Sequence, residues 1–182
     1  MKIRFSDDVM TIAEYAREEA MRTGWRGIGA DHLMLGILRH ADNEACRVLS
    51  ALGLSLSALK DFIDSRIFED SPVPYNEMSS VKLSNGARSI LNMSAFEALK
   101  AGTGEVLPAH LLLALSRTSG NATADFLLTS KITPQALSER IAAAGSKAAP
   151  EVLPKFEDIA GALGEQLSNL FGSKNNNTHF FS

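Results

Sequence analysis

The chain contains one motif twice, first as Gly29–Arg39 (GADHLMLGILR) and again, 78 residues later, as Leu107–Arg117 (LPAHLLLALSR). The histidine, two leucines and the arginine coincide without a gap. Repetition at a fixed period indicates that one structural unit was duplicated. We therefore asked how far the repeat extends before assigning any role to its residues.

The same offset aligns other residues on both sides of the motif. Two of these positions mark helix boundaries, because serine favours a helix start and glycine a helix end. The matching pairs include Ser6 with Ser84, Gly24 with Gly102, Asn43 with Asn121, and Leu59 with Leu137. A gapless repeat over about 60 residues predicts two copies of one helical unit, each burying an apolar face against the other.

Apolar residues recur at helical spacing in four segments of each copy, and no segment shows the alternating pattern of a strand pair. We therefore predict an all-α fold, a tandem pseudo-twofold repeat of two four-helix units, or eight helices. Repeat one is placed at 5–68 and repeat two at 83–145, within a domain spanning 1–145. The intervening residues 69–80 contain two prolines and no period, which predicts an exposed connection.

Residues 146–182 are predicted to form a linker with one amphipathic helix, 155–171, and a polar tail. The apolar residues of that helix fall on one face, which must dock on this domain or on a partner. The Asn-rich tail resembles a linker leading to a further domain, so the chain could be an excised domain or a stand-alone protein.

Composition narrows the classes of function. The chain has 182 residues, a formal net charge of -3 and a single cysteine, Cys46, so it cannot form an internal disulfide. No basic cluster indicates nucleic-acid binding, and no apolar run reaches the length of a membrane span. A cytoplasmic protein that contacts neither nucleic acid nor membrane is the expectation.

The sequence gives no catalytic residue, metal site or cofactor. It lacks phosphate-binding glycine loops and the nucleophile elbow, and its histidines have no ligand spacing. His32 and His110 could act as paired acid and base groups. Alternatively, each hydrogen-bonds the loop before its helix, and repetition favours this structural role because an active site is usually needed once.

Asp31 has no acidic counterpart, because the equivalent position in repeat two is Ala109. Its carboxylate could satisfy amides at a helix N-terminus. It could instead present a negative charge to a cationic side chain beside the loop. Both interpretations are compatible with the sequence, and either role would be carried out by one repeat alone.

With both copies aligned, the chain resembles the N-terminal double-repeat domain of the Clp/Hsp100 AAA+ unfoldases, of ClpC or ClpA type. In that family each second helix opens on a Gly-Thr-Glu-His-Leu-Leu-Leu-Gly-Leu-like motif. The matches at Phe5-Ser6, Glu19-Ala20 and Ala51–Leu54 add to the resemblance, which covers about residues 4 to 145.

The resemblance implies a non-catalytic domain that recruits protein substrates and adaptor proteins to Clp ATPase modules, which are absent from these residues. The alternative is a stand-alone Clp-like regulator that binds a Clp component. Some ClpC-type members bind phosphoarginine in each copy. By position, Ser6 and Asp31 match that site in repeat one, whereas in repeat two Ser84 matches but Ala109 lacks the carboxylate that would hold the guanidinium.

Overall fold

Each repeat folds into four helices that follow one another in the same order. The computed structural model describes residues 2–144 and 155–171. Repeat one contains α1 (Asp7–Arg22), α2 (Ala30–Arg39), α3 (Glu44–Ala51) and α4 (Leu56–Ile67), and repeat two contains α5 (Asn85–Lys100), α6 (Pro108–Ser116), α7 (Ala122–Thr129) and α8 (Pro134–Ala144), after which comes α9 (Phe156–Phe171). The predicted all-α class, the two four-helix units and the additional C-terminal helix are confirmed.

The aligned serines cap the first helix of each repeat. The Ser6 hydroxyl oxygen accepts a hydrogen bond from Val9 N at 3.1 Å, and that of Ser84 accepts from Ala87 N at 3.0 Å. Both bonds satisfy amides that lack a partner within their own helix. The two units therefore begin in the same way because the same residue type stands at the same position.

Two short parallel ladders join the repeats to each other. Strand β1 (Arg4–Phe5) pairs with β4 (Glu105–Val106), and β2 (Gly27–Ile28) pairs with β3 (Lys82–Leu83). Each ladder takes one strand from either repeat, so the two ladders are related by the pseudo-twofold axis. Each strand has only two residues, which is too short to show an alternating pattern in the sequence.

The first two helices of repeat one approach so closely that only glycine fits at the crossing. A Cβ atom added to Gly36 of α2 would lie 2.5 Å from the carbonyl oxygen of Ile12 in α1. Repeat two has Ala114 at the equivalent position, and this alanine is buried. The crossing of α5 and α6 therefore accommodates a methyl group that the crossing of α1 and α2 excludes.

Helix α9 packs on α5 and β1. Its buried apolar face is formed by Ile159, Leu163, Leu167 and Phe171. The Gln166 side chain accepts from Phe5 N at 3.0 Å and donates to Ile3 O at 3.2 Å. It thereby pairs the free edge of β1, which would otherwise present unpaired backbone groups.

The connection between the repeats is exposed for most of its length, but backbone hydrogen bonds fix it to the end of α1. Val73 is buried, and its amide donates to Met21 O at 2.9 Å, while Glu69 N donates to Thr23 O at 2.8 Å. These bonds satisfy carbonyl groups at the end of α1. A 3₁₀ segment, Tyr75–Ser80, then leads into β3. The predicted linker and polar tail at 145–154 and 172–182 lie outside the described residues.

Candidate functional site

The motif histidines cap the helices on which they stand. Gly29 N donates to His32 Nδ1 at 3.0 Å, and Leu107 N donates to His110 Nδ1 at 2.9 Å. Each histidine is the third residue of its helix, the place where a capping box uses glutamate or glutamine. Burial lowers the pKa of both imidazoles to about 4, so both are neutral at pH 7.

The second nitrogen of His32 is also satisfied. The Thr23 hydroxyl donates to Glu19 O at 2.8 Å and lies 3.1 Å from His32 Nε2, so it accepts the proton carried there. The indole ring of Trp25 packs edge-on against this imidazole, with ring centroids 5.9 Å apart. All polar atoms of the His32 ring are therefore used within repeat one.

The carboxylate of Asp31 binds the N-terminus of a helix in the other repeat. Its Oδ2 accepts from Ala122 N at 3.0 Å, and its Oδ1 accepts from Thr123 N at 2.8 Å and from the Thr123 hydroxyl at 2.7 Å. These are the first amides of α7, where the helix dipole favours a negative charge. Asp31 is buried, and a guanidinium reaching it would compete with three donors already in place.

The ladders place each capping serine beside the opposite repeat. Ser6 N donates to Val106 O at 2.9 Å, and Ser84 N donates to Ile28 O at 3.0 Å. Ser84 therefore neighbours the strand that leads into Asp31, whereas Ser6 neighbours the strand that leads into Ala109. The repeat comparison placed Ser6 and Asp31 in one copy, whereas the ladders bring the backbone of Ser84 next to the strand that precedes Asp31.

The motif arginines bind a buried carboxylate of the preceding helix. Arg39 NH1 lies 3.4 Å from Glu19 Oε2, and Arg117 Nε lies 2.7 Å from Glu97 Oε2. Each glutamate has a second basic neighbour, Arg22 or Lys100, on its own helix. Both repeats thus join their first two helices through a buried glutamate, which its second basic neighbour would still compensate if the motif arginine were removed.

Sequence reasoning missed Thr123, the partner of Asp31. A signal was present, because Thr123 replaces Ala45 in the same repeat comparison in which Ala109 replaces Asp31. Asp31 and Thr123 both lack a polar counterpart at the equivalent position, which is the pattern expected of two residues that contact each other. Ninety-one residues separate Asp31 from Ala122, so no local pattern connects them.

Two open cavities lie on the described part of the molecule. One of about 440 Å³ lies between the repeats and is lined by residues that include Asn43, Arg47, Pro108 and Arg140. The other, of about 650 Å³, lies mainly in repeat two beside His110. Both volumes fall within the usual range of ligand sites. Among the described residues, no group of three or more histidine, cysteine or acidic side chains is arranged to hold a metal ion.

Comparison with known proteins accounts for the double repeat. A family model described as the Clp repeat (R) N-terminal domain matches residues 4–149, which include both repeats and the cross-paired strands. The chain belongs to this family. Within the residues that the structure describes, no helix is long and apolar enough to cross a membrane.

Similar curated proteins include three Clp chaperones or regulators. The chain is 30% identical over 114 residues to a chaperone protein ClpB of Oceanobacillus iheyensis, which covers 63% of this chain and 14% of the relative. It is 32% identical over 115 residues to the negative regulator of genetic competence ClpC/MecB of Bacillus subtilis, with the same two coverages. A chloroplastic chaperone ClpC3 of rice (Oryza sativa subsp. japonica) is 30% identical over 118 residues, covering 65% of this chain and 12% of the relative.

The predicted family membership is confirmed. The chain matches only 12 to 14% of the length of these relatives. They carry ClpB and ClpC names, so the similarity is to Clp N-terminal domains as a class. It extends to the domain and not to the remaining modules of the relatives.

Proposed function

We propose that this chain is a non-catalytic module that recruits protein substrates and adaptor proteins to a Clp-type ATP-dependent unfoldase. The observation that carries the proposal is the match of both repeats to the Clp N-terminal domain. The site chemistry agrees with it. The motif histidines are neutral and cap helices, and the buried carboxylates are paired, so these groups serve the fold and leave recognition to the surface.

Exposed aromatic side chains on repeat one provide a surface for such recruitment. The Trp25 side chain is 41% exposed and that of Phe68 is 50% exposed. The Trp25 indole N–H donates to Ile67 O at 2.6 Å, which places the ring beside the end of α4, next to Phe68. Aromatic residues are enriched in protein interfaces, and an exposed apolar patch often marks one.

A chimeric unfoldase tests the proposal. The chain replaces the N-terminal domain of a ClpC-type enzyme, and degradation of an unfolded protein is compared with that by the enzyme lacking an N-terminal domain. We expect degradation to be restored. Phe68→Ser should reduce it by about fivefold, because a central aromatic anchor is worth about 1 kcal/mol or more. Leu128→Ser, at a position 78% exposed in repeat two, is the matched control and should have no effect. Equal restoration by an unrelated helical domain would contradict the proposal.

The same assay distinguishes a recruiting module from a stand-alone Clp-like regulator. The free chain is added in trans to an intact Clp enzyme, and ATP turnover and degradation are measured. A stand-alone regulator changes these rates at a saturable concentration of the chain. A recruiting module acts only when it is joined to the ring and leaves the rates unchanged in trans. ATP turnover by the isolated chain would contradict both functions.

Phosphoarginine binding through Ser6, Asp31 and Ser84 stays a prediction. If the guanidinium binds Asp31, it must disturb the bonds from Ala122 N and Thr123 N. Titration with millimolar phosphoarginine would then shift these two amide signals in a ¹H–¹⁵N spectrum. Unchanged signals would restrict Asp31 to its role at the helix junction.

A further inference from the structure

The cavity of about 650 Å³ lies where repeat two lacks side chains that fill repeat one. Its wall is formed by the end of α5, the strand β4, the start of α6 and the end of α8. The lining residues used below are Glu44, Glu97, Lys100, Ala101, Thr103, Glu105, His110 and Ala142.

The first repeat shows which groups are missing. In repeat one, Trp25 packs its indole against His32, and the Thr23 hydroxyl accepts from the same ring. The residues at the equivalent positions of repeat two are Thr103 and Ala101, so both the aromatic ring and the hydroxyl are absent. Asp64, which accepts from Arg22 at 2.8 Å in repeat one, is likewise replaced by Ala142. The two positions at which the aromatic ring and the hydroxyl are missing, Thr103 and Ala101, therefore both line the cavity.

His110 contributes a hydrogen-bond donor to this space. His110 Nδ1 accepts from Leu107 N, so the neutral ring carries its proton on Nε2. His110 is 3% exposed and lines the cavity, and no acceptor for Nε2 occurs among the described residues. In repeat one the corresponding proton is donated to Thr23. Nε2 is therefore a donor open to the cavity, where it can bond a ligand that brings an acceptor.

Charged groups around the cavity are largely paired with one another. Glu97 is already balanced by Arg117 at 2.7 Å and Lys100 at 3.3 Å, and Glu105 pairs with Arg4 at 2.7 Å. Glu44 adds a further carboxylate to the wall. Because these cations are already paired, an anionic ligand would have to compete with Glu97 or Glu105 for them, whereas a neutral ring would not.

We propose that this cavity binds a neutral phenol, with the ring in the place that Trp25 occupies in repeat one and the phenolic oxygen accepting from His110 Nε2. A single phenol supplies both of the missing groups, the aromatic ring and the hydroxyl. It can come from a tyrosine side chain of a bound protein or from a free phenolic metabolite.

Calorimetric titration of the full chain with N-acetyl-tyrosinamide tests the proposal. We expect saturable binding with a Kd of about 0.1 to 1 mM, the range for a well-fitted ligand of this size. N-acetyl-phenylalaninamide lacks the hydroxyl and should bind about fivefold more weakly, because Nε2 then stays unpaired. N-acetyl-tyrosine carries a carboxylate and should also bind more weakly. The Nε2 signal of His110 should shift with the phenol and not with the phenylalanine derivative.

Variants assign the binding to this cavity. Thr103→Trp restores the residue type of repeat one and should abolish binding by filling the space. Leu128→Trp adds the same side chain at an exposed position outside the cavity and is the matched control. Ala101→Thr offers His110 an internal acceptor and should weaken binding about fivefold. Melting curves of all three variants establish that they remain folded.

The outcomes decide the proposal. Tighter binding of a peptide with an internal tyrosine than of N-acetyl-tyrosinamide identifies a protein source, and equal or weaker binding identifies a free phenol. Absence of saturable binding up to about 5 mM, well above the expected Kd, overturns the proposal. Binding that persists in Thr103→Trp, or that is equal for phenol and phenylalanine derivatives, also overturns it. None of these results depends on recruitment to an unfoldase.

Discussion

The N-termini of α7 and α3 occupy equivalent positions in the two repeats but are satisfied differently. At α7, Asp31 of repeat one fills both oxygens with bonds from Ala122 and Thr123. The residue of repeat two equivalent to Asp31 is Ala109, which has no carboxylate, and a cavity of about 440 Å³ is lined by Asn43 and Glu44 at the start of α3. The capping residues Ser6/Ser84 and His32/His110 are kept in both copies, whereas the carboxylate of Asp31 that joins α2 to α7 occurs in one copy alone. Differences between the repeats therefore locate asymmetry that the shared motif conceals.

Acidification should act on both repeats alike and produce the largest effect. The folded chain keeps His32 and His110 neutral until the pH falls to about 4, whereas in the unfolded chain they take up protons near pH 6.5. Between these values the unfolded state binds more protons, so the free energy of unfolding falls with falling pH. The stabilisation is complete above pH 6.5, and about 2 kcal/mol per histidine should be lost by pH 5.

Urea unfolding at several pH values measures this loss. Glutamine at the same two positions still accepts from the N-cap amide but does not titrate. His32→Gln combined with His110→Gln should therefore flatten the dependence between pH 6.5 and 5. An unchanged slope in the double variant would show that other groups cause the acid sensitivity.

Asp31→Ala should remove the asymmetry between α7 and α3. It leaves two amides and the Thr123 hydroxyl without their acceptor in a buried place, which should cost about 3 kcal/mol. For a chain of this size the melting temperature should fall by about 6 to 12 °C. Asp31→Asn keeps one acceptor oxygen and should lose less. A wild-type melting temperature for Asp31→Ala would show that α7 does not depend on this carboxylate.

Helix α9 packs on α5 and β1, and the structure describes no helix in an equivalent place in repeat one. Leu163→Ala removes a fully buried side chain of α9 and should cost about 3 kcal/mol. Amide hydrogen exchange should quicken in α5 and β1 more than in α2. Glu165→Ala, at an exposed position of the same helix, should leave stability and exchange unchanged. Equal effects of both variants would contradict the packing of α9.

Gly36→Ala tests the difference between the two helix crossings. The added methyl group would lie 2.5 Å from Ile12 O, so α1 and α2 must separate. We expect a net loss of about 1 to 2 kcal/mol, because overpacking exceeds the gain in helix propensity. Ala114→Gly at the equivalent crossing should lose about 1 to 2 kcal/mol, through helix propensity and the loss of a buried methyl group. Chemical denaturation measures both, and a stabilised Gly36→Ala would show that the first crossing has room to spare.

Local features of the sequence sufficed for the helices and their caps. The serine caps act across three residues, and so do the bonds of His32 and His110, so a short window contains both partners. The repeat then fixed the four-helix unit and its duplication. The amphipathic pattern of 155–171 also located α9 to within one residue of its start.

Contacts between distant residues were beyond such reasoning. Asp31 was recognised as a helix-end candidate, but its partner lies in the other repeat. The surface that α9 covers depends on β1 and α5, which no pattern within α9 specifies. The cavity beside His110 arises because Ala101, Thr103 and Ala142 are small together, and their proximity is a property of the fold. Sequence comparison of the two repeats shows these substitutions, but only the structure shows that they share one space.

Because the strands pair between the repeats, neither repeat can form a complete ladder by itself. Neither repeat holds both partners of a ladder, since β1 pairs with β4 and β2 with β3. A single repeat would carry two open edges that complement those of a second copy, the condition for a closed symmetric dimer. The chain therefore resembles a symmetric dimer whose two subunits are joined by a peptide connection. Its connection at residues 69–80 replaces a concentration-dependent encounter with a fixed local concentration, so both halves should assemble and melt as one cooperative unit.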